Sequence, residues 1–421
     1  MAIQRTDIFK LVLLFGLALT VLSPALSNLA GLPRLDSALG GLFVTLSIIT
    51  LFSNKIETDF LKFLLPLYGV FFFGFLSVLA SFSSEKLVDL FFFGIVIFSF
   101  HYSFLAFRHR NGENDIRYLL LGISLFVLLG FFIEAGLGIQ LVSGNEELTV
   151  TDKAFKGFFF NTNDQAVVMV SLAAAVGFFF IIRGENLKLK VVGYTLLLMM
   201  GAVVVVSASR SVLASYLMML ILLLFLNASL YFRVVYLLLG CVIILFIFNL
   251  SWLQEIFLQL SRIEWLERPI ERFSLVIFSM NDDKSVGYRT EIYGTFIDNF
   301  KILWLGYGPR DYIHYFDQVK LSFPLGYTNP HSFFIEVYLA FGIFAFISFI
   351  YFLFYLAFYV LNDGILMSKE KIFILFIIAN FCWIVWVPSS IFRLPLVWYP
   401  LFWVLIDIIL NKHDMFSKNN R

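Results

Sequence analysis

The sequence has little charge and very little cysteine. Only 14% of its 421 residues are charged, while 60% are hydrophobic and 19% aromatic; a soluble domain has about 25% charged and about 45–50% apolar residues. This composition excludes an ordinary soluble enzyme and a disordered chain. The two cysteines, Cys241 and Cys382, lie inside apolar runs, which argues against a disulfide framework and a thiolate metal site. Because 30 basic residues nearly balance 29 acidic ones, we expect no nucleic-acid partner.

The motifs of nucleotide and metal chemistry are also missing. The sequence contains no GxxxxGK[ST] phosphate loop, no GxGxxG, no HExxH and no Asp-x-Asp pair. We therefore predict no cofactor and no metal ion, and we exclude ATP-driven transport and metal-dependent transfer from nucleotide sugars. Few ionisable residues lie deep inside the apolar runs, which argues against an ion-coupled transporter.

Long apolar runs are the dominant feature of the chain. A bilayer core of about 30 Å requires a helix of about 20 apolar residues. The runs that fit are Phe9–Ser27, Ser37–Phe52, Leu61–Ala80, Leu87–Phe107, Tyr118–Leu137, Gln165–Ile182, Val191–Val206, Val212–Asn227, Val234–Leu250, Ser332–Leu361, Ile372–Pro388 and Val397–Leu410. We predict an all-α polytopic membrane protein with about 12 transmembrane helices.

The distribution of lysine and arginine predicts the orientation. With both termini in the cytoplasm, the inner segments carry sixteen of these residues and the short outer loops six, as the positive-inside rule requires. The chain then divides into helices 1–9 (residues 1–250), a large, mainly helical outer loop (251–330), and helices 10–12 with a cytoplasmic tail (331–421). In the loop we expect an interfacial helix over Trp252–Ile263, a second helical piece over Arg289–Phe300, and a turn at Gly306–Pro309.

Two arginines on the outer side are candidate anion-binding residues. Arg210 lies in a very tight turn, Ser207-Ala-Ser-Arg-Ser211, between two apolar runs, and Ser209 is a candidate cap of the next helix. Arg289 begins the second helical piece of the loop. A guanidinium stays charged and offers a planar set of donors that suits phosphate oxygens. Taken singly, each arginine could equally be an interfacial or solvated charge.

A histidine at the start of the tenth run completes this outer set. Asn329 is a suitable N-cap and Pro330 a suitable first helical residue, which would place His331 in the first helical turn. The positive field of a helix N-terminus disfavours imidazolium, so we predict a neutral His331 that can accept a proton near pH 7. A histidine packed at the interface is the alternative. Two phosphate-binding cations with a neutral base would suit a pyrophosphate-linked lipid whose headgroup faces outward.

The order of these motifs resembles the bacterial O-antigen ligase and O-antigen polymerase superfamily. The corresponding elements are the Ser209-Arg210 turn, Arg289 in the large loop, Gly306-Tyr-Gly308, and His331-Ser332 with Gly342 eleven residues after the histidine. Upstream, Phe160-Asn-Thr-Asn-Asp164 is similar to the Asn-Pro-Asn element of the family. The resemblance covers roughly Asn161–Ala345.

The resemblance implies a metal-independent glycosyltransferase in the bacterial inner membrane, with its active site on the periplasmic face. Arg210 and Arg289 would hold the pyrophosphate of an undecaprenyl-pyrophosphate-linked glycan donor, and His331 would activate the hydroxyl of a glycan or lipid-linked acceptor. The candidate substrate-binding residues are Asn329, Ser332, Glu336, Asn163, Asp164, Tyr307 and Arg310. Membrane lipids are expected partners, and a chain-length regulator is a candidate partner.

Three activities remain open at this point. A polymerase would transfer the growing chain to the next lipid-linked repeat unit of an O-antigen, capsule or exopolysaccharide, and a ligase would transfer the glycan to lipid A-core. The Asn329-Pro-His331 element and the Asn161–Asp164 segment resemble polymerases slightly more. A flippase for lipid-linked glycan is a more distant alternative, because such a transporter needs matching broken helices in two halves and the sequence shows no such pair.

Overall fold

A computed structural model of the chain is almost entirely helical in the residues it describes. These residues are 5–31, 58–108, 112–142, 155–236, 250–278, 284–309, 311–313, 315–316, 330–388, 391–392 and 394–419, with the single positions 42, 45, 49 and 238. Within these ranges no β-strand occurs, as the predicted all-α class requires.

Fourteen α-helices can be numbered along the described residues. They are α1 (Arg5–Ala30), α2 (Thr58–Ala80), α3 (Ser84–Phe107), α4 (Gly112–Leu137), α5 (Thr162–Val176), α6 (Leu187–Val206), α7 (Arg210–Asn227), α8 (Leu250–Leu260), α9 (Glu264–Phe278), α10 (Lys284–Asp298), α11 (Phe333–Phe341), α12 (Ile343–Asn362), α13 (Ser368–Ile384) and α14 (Pro395–Asn419). A π-helical segment, Gly177–Ile182, prolongs α5, and a short 3₁₀ turn covers Asp311–Ile313.

Most of the predicted transmembrane helices are present. Nine helices in the described part of the chain are long and apolar enough to cross a membrane. A tenth predicted run, Ile372–Pro388, corresponds to α13, which has 17 residues. The runs Ser37–Phe52 and Val234–Leu250 lie almost wholly outside the described residues. The total of twelve therefore stays a prediction, whereas the all-α class with several helices suited to cross a membrane is confirmed.

Three helices form the centre of the bundle. In the apolar stretches of α5, α3 and α14, 100%, 94% and 83% of the residues are buried. In the other candidate membrane-spanning helices at most half of the residues are buried. Helix α5 is rich in alanine and valine, and small side chains allow neighbouring helices to approach closely in a membrane. It packs against α4, α6, α7, α13 and α14. The start of this central helix therefore has a position fixed by many neighbours.

The predicted span Ser332–Leu361 is wrong as a single helix. The helix breaks at Gly342, which has φ +86° and separates α11 from α12. A Cβ atom at Gly342 would lie 2.5 Å from the carbonyl oxygen of Trp304, so this position has no room for a side chain. The amide of Ile343 donates to the carbonyl of Leu303 at 2.8 Å. A returning segment of the large loop thus occupies the break.

The described part of the large loop is mainly helical but differs from the prediction in detail. The helix predicted over Trp252–Ile263 corresponds to α8, which ends at Leu260. The piece predicted over Arg289–Phe300 corresponds to α10, which begins at Lys284 and ends at Asp298. Between them lies α9, which the sequence analysis did not predict and which contains Pro269.

We refer to the two ends of the bundle by their connections. The loop end contains Ser81–Ser83, Ser207–Ser209 and residues 385–388, 391–392 and 394, and the Arg183 end contains residues 183–186 and 363–367. At the Arg183 end the guanidinium of Arg183 pairs with Glu370 at 2.8 Å and with Asp407. All three side chains are largely buried. This ion cluster joins the end of the π-helical segment to α13 and α14.

Candidate active site at the loop end

His331 lies just before α11 rather than inside it. Its backbone has φ +46°, and the N-cap of α11 is Ser332, whose side-chain oxygen accepts a hydrogen bond from the amide of Ile335 at 3.4 Å. The predicted helix start at Pro330 is therefore wrong. Asn329, the predicted cap, lies outside the described residues. Serine is as good a cap as asparagine, and the left-handed backbone of His331 cannot belong to the helix.

Two neighbouring elements hold the backbone around His331. The hydroxyl of Tyr293, on α10, donates to the carbonyl oxygen of His331 at 3.2 Å. The amide of Phe333 donates to the carbonyl of Val385, just after α13, at 3.1 Å. These contacts join the large loop to the bundle at the candidate base.

The environment of His331 favours its neutral form. Burial lowers the pKa of His331 to about 4, and the charge of Arg289 acts in the same direction. The backbone carbonyls of Val387 and Pro388 act in the opposite direction but are weaker. The sequence predicted the same direction from a helix N-terminus; here desolvation and a nearby guanidinium are the causes. The imidazole is thus neutral at pH 7 and can accept a proton.

Arg289 lies on α10, one turn before Tyr293. Its charge acts on both His331 and the hydroxyl of Tyr293, which places the guanidinium close to both groups. The ring of Tyr293 packs edge-on against Trp386 with centroids 5.3 Å apart, and Trp386 lies 5.8 Å from Phe334. Trp386, just after α13, thus links α10 to the start of α11 and brings the helices next to two predicted catalytic residues together.

Arg210 is the first residue of α7 and lies at the same end of the bundle. Its Nη1 atom is 3.5 Å from the carbonyl oxygen of Arg272, on α9. The next carbonyl, that of Ser211, accepts a hydrogen bond from the indole of Trp383 at 3.1 Å. Trp383 lies in the last turn of α13, two residues before Val385, whose carbonyl accepts a hydrogen bond from the amide of Phe333. Ser209 occupies the N-cap position as predicted, but its side chain makes no capping bond.

Backbone strain coincides with this site. Two non-glycine residues in the described part of the chain have positive φ, His331 at +46° and Ala208 at +57°. Ala208 stands two residues before Arg210. Left-handed backbone costs a non-glycine residue about 1–2 kcal/mol, and such residues cluster at active sites. The turn that presents Arg210 and the segment that presents His331 are therefore both strained.

The other predicted substrate-binding residues are more dispersed. Glu336 is buried on α11, and its Oε1 atom accepts a hydrogen bond from the Tyr312 hydroxyl at 2.9 Å. The amide of Tyr307 donates to Leu339 at 2.8 Å, near the other end of α11.

Asn163 and Asp164 lie in the first turn of α5. The amide of Asp164 donates to Oδ1 of Asn161 at 2.8 Å, and its carboxylate accepts from Nδ2 of Asn161 at 2.8 Å. These contacts of Asp164 are thus with the cap of its own helix. Arg310, like Asn329, lies outside the described residues.

Sequence reasoning missed the tyrosines of the site. Tyr293 contacts His331, and Tyr312 contacts Glu336. The four-residue spacing from Arg289 to Tyr293 places both on one helix face and could have suggested the first. Nothing local links Tyr312 to Glu336, because their contact depends on how the loop returns to the bundle. No group of three or more histidine, cysteine, aspartate or glutamate side chains within the described residues has an arrangement that could hold a metal ion.

Comparison with known families agrees with the predicted resemblance. A family model described as O-antigen ligase matches residues 195–350. This range contains Arg210, Arg289, His331 and Glu336, and it ends before α13. The match confirms the predicted similarity to the O-antigen ligase and polymerase superfamily. No curated protein matches the chain.

Proposed function

We propose that this protein is an inner-membrane glycosyltransferase that polymerises lipid-linked repeat units at the periplasmic face. The observation that supports this most is the proximity of Arg289 to a neutral His331, inside the range that matches the O-antigen ligase family. A cation that binds phosphate and a base that accepts a hydroxyl proton are the two groups that transfer from a sugar pyrophosphate requires.

In the proposed reaction, Arg289 and Arg210 bind the pyrophosphate of an undecaprenyl-linked glycan. The bond between the anomeric carbon and the phosphate oxygen breaks, and both guanidinium groups stabilise the charge that develops on that oxygen. The acceptor hydroxyl forms the new bond to the anomeric carbon and gives its proton to His331. Undecaprenyl pyrophosphate leaves as the anion.

The remaining predicted residues would bind the sugars. Glu336, which accepts a hydrogen bond from Tyr312, is suited to accept further hydrogen bonds from sugar hydroxyls. Asn163 and Asp164 at the start of α5, with Tyr307, Asn329 and Arg310, are proposed further contacts to the glycan. Ser332 already caps α11, so we assign it a positioning role.

A ligase that joins the glycan to lipid A-core is the second candidate. The description of the matching family as O-antigen ligase favours it. Polymerase and ligase would use the same donor and the same three catalytic residues, and they differ in the acceptor.

Glycan profiling of a deletion strain separates these activities. For a polymerase we expect single repeat units on the final acceptor and no long chains. Long chains that stay on the carrier lipid would indicate the ligase. Lipid-linked single units trapped in the cytoplasmic leaflet would indicate a flippase and contradict both transferase proposals.

The proposed chemistry needs no metal ion, which can be tested on purified protein. We expect turnover of lipid-linked repeat units, extracted from the deletion strain, to continue in excess EDTA. Activity that EDTA abolishes and that only Mg²⁺ or Mn²⁺ restores would show that a metal, rather than the two arginines, stabilises the leaving group.

A further inference from the structure

Lys86 is a buried cation at the loop end that the proposed reaction does not use. It lies in the first turn of α3 and is only 4% exposed. A positive charge is unfavourable both in an apolar interior and near a helix N-terminus. Its position therefore depends on strong compensating contacts.

Those contacts come from two separate parts of the chain. The ammonium lies 2.9 Å from the carbonyl and 2.7 Å from the hydroxyl of Ser81, in the turn that precedes α3. It lies 3.2 Å from the carbonyl of Tyr307 and 2.6 Å from a carboxylate oxygen of Asp311, in the returning segment of the large loop. Lys86 thus fastens this segment to the turn between α2 and α3.

The glycine turn of the family motif fits around the stem of Lys86. Gly308 has φ +96°, and a Cβ atom there would lie 2.9 Å from Cδ of Lys86. The amides of Tyr307 and Gly308 donate to Leu339 and Ala340 of α11 at 2.8 and 2.9 Å. The turn is therefore held between Lys86 and α11, the helix that follows His331.

From Lys86 a short path of polar contacts leads to the candidate site. Asp311 is followed directly by Tyr312, and the Tyr312 hydroxyl donates to the buried carboxylate of Glu336 at 2.9 Å. Glu336 stands five residues after His331 on the adjoining helix. Because Lys86 fixes Asp311, it also fixes the position from which Tyr312 reaches Glu336.

We propose that Lys86 is a positioning residue that, through Asp311 and Tyr312, holds the Glu336 carboxylate in place for hydroxyl groups of the acceptor sugar. This inference rests on the proposed transferase function. It explains why a lysine is buried where both burial and the helix field oppose it. It also separates two tasks at the loop end, with the arginines on the donor phosphates and the Lys86 path on the acceptor.

The test compares Lys86→Met, Asp311→Asn and Tyr312→Phe with the control Lys62→Met. Lys62 forms an exposed ion pair with Asp59 at 3.0 Å at the start of α2. Two quantities are measured on the full-length purified protein: binding of undecaprenyl pyrophosphate, and turnover of lipid-linked units extracted from the deletion strain. For the three variants of the path we expect turnover to fall about 10- to 100-fold, the size of effect that a misplaced catalytic group produces. We expect binding of the probe to stay within about twofold of the parent, and the control to match the parent in both.

A double-mutant cycle distinguishes a shared path from separate structural effects. The Lys86→Met, Tyr312→Phe double variant should be no slower than the slower single variant, because each change breaks the same connection. Additive losses, or parental turnover in Lys86→Met, would overturn the proposal. A loss of probe binding as large as that of Arg289→Ala would instead make Lys86 a phosphate ligand and would also overturn it.

Two further results keep the test decisive. If Lys86→Met does not fold, Asp311→Asn takes its place in the cycle, because that side chain is 48% exposed. If the parent protein itself fails to turn over the extracted lipid, the proposed function is wrong. If the parent is active and the losses of turnover in Lys86→Met and Tyr312→Phe are additive, only the proposed role of Lys86 is rejected.

Discussion

At the scale of single residues, the site combines a fixed cation with a neutral base. Burial lowers the pKa of His331, the charge of Arg289 lowers it further, and together they keep the imidazole unprotonated. A bound pyrophosphate would neutralise that cation and raise the histidine pKa. The base would therefore become stronger when the donor is present, which is the moment at which a proton must be accepted.

The arginines should control donor affinity. We expect Arg289→Ala and Arg210→Ala each to weaken binding of undecaprenyl pyrophosphate, at a cost of about 2–5 kcal/mol for a buried charge-assisted contact, and to abolish most polymer. Lysine at either position should restore only part of the lost binding and polymer formation, because a point charge cannot replace a bidentate donor. Arg262→Ala, in the exposed turn between α8 and α9, is the control. If both alanine variants bound undecaprenyl pyrophosphate and made polymer like the parent, the arginines would not be part of the donor site.

His331 should control turnover rather than binding. We expect His331→Ala to lower turnover by about 10²- to 10⁴-fold, the usual contribution of a general base, with donor binding retained. His331→Asn is the matched variant, because asparagine tolerates positive φ. It should restore backbone geometry without restoring the rate. Reduced donor affinity with a parental rate at saturating donor would make His331 a phosphate ligand.

The pH dependence follows from the same histidine. Its pKa of about 4 in the folded protein lies below the unperturbed value of 6.5, so the neutral, active form persists as pH falls through 6. We expect the acid limb of kcat/KM, which reports the free enzyme, to lie below pH 6.5. The unfolded chain binds this proton first, so His331 also makes folding less favourable as pH falls from 6.5 towards 4. An acid limb at or above pH 6.5 would contradict the neutral, buried imidazole.

At the scale of helices and turns, the sequence predicted which segments are helical better than where they stop. Hydrophobic runs identified the helices because burial in lipid requires apolar length. Two boundaries failed for tertiary reasons: Ser332 rather than Asn329 caps α11, and Gly342 divides a continuous apolar run. In both cases local rules allow the predicted alternative, and contacts with distant segments decide against it. The pairing of Arg289 with His331 likewise depends on how α10 meets Trp386, just after α13.

Gly342 gives this argument a direct test. We expect Gly342→Ala to be destabilising by at least about 1–2 kcal/mol because of its left-handed backbone. The new methyl group would also meet the carbonyl of Trp304, which should displace the Gly306–Gly308 turn and reduce turnover. Gly136→Ala in α4, where a Cβ atom meets nothing within 4 Å, is the control and should be neutral or stabilising. The melting temperatures of both variants are measured in detergent. If Gly342→Ala were as stable as the parent, α11 and α12 could join into one helix.

At the scale of the whole molecule, the two ends of the bundle have different tasks. The loop end carries strained backbone and partly buried charges that would meet substrate. The Arg183 end carries a buried ion cluster whose partners all come from the bundle itself. Arg183 also stacks over Phe178 at 4.8 Å, inside the π-helical prolongation of α5. We interpret this cluster as the element that holds the central helix in register.

Breaking that cluster should affect stability more than chemistry. Arg183→Met leaves Glu370 and Asp407 as buried carboxylates without their cation, a change that costs about 3–5 kcal/mol. We expect a lower melting temperature, with undecaprenyl pyrophosphate affinity preserved in the folded fraction. Lys62→Met, which breaks only an exposed pair, should melt like the parent. A parental melting temperature for Arg183→Met would mean that the cluster contributes little to the fold.

The orientation of the whole bundle decides which substrate the loop end can meet. Sixteen basic residues in the predicted inner segments against six in the short outer loops predict that both termini lie in the cytoplasm. We expect a fluorescent reporter fused after Arg421 to be active, and alkaline phosphatase, which folds only in the periplasm, to be active when fused after Asp283 and inactive after Arg421. The contacts between α10, α11 and α13 then carry Arg289 and His331 to the periplasmic face with the loop. Phosphatase activity after Arg421 would place both residues on the cytoplasmic side, where the donor would have to be bound before it crosses the membrane.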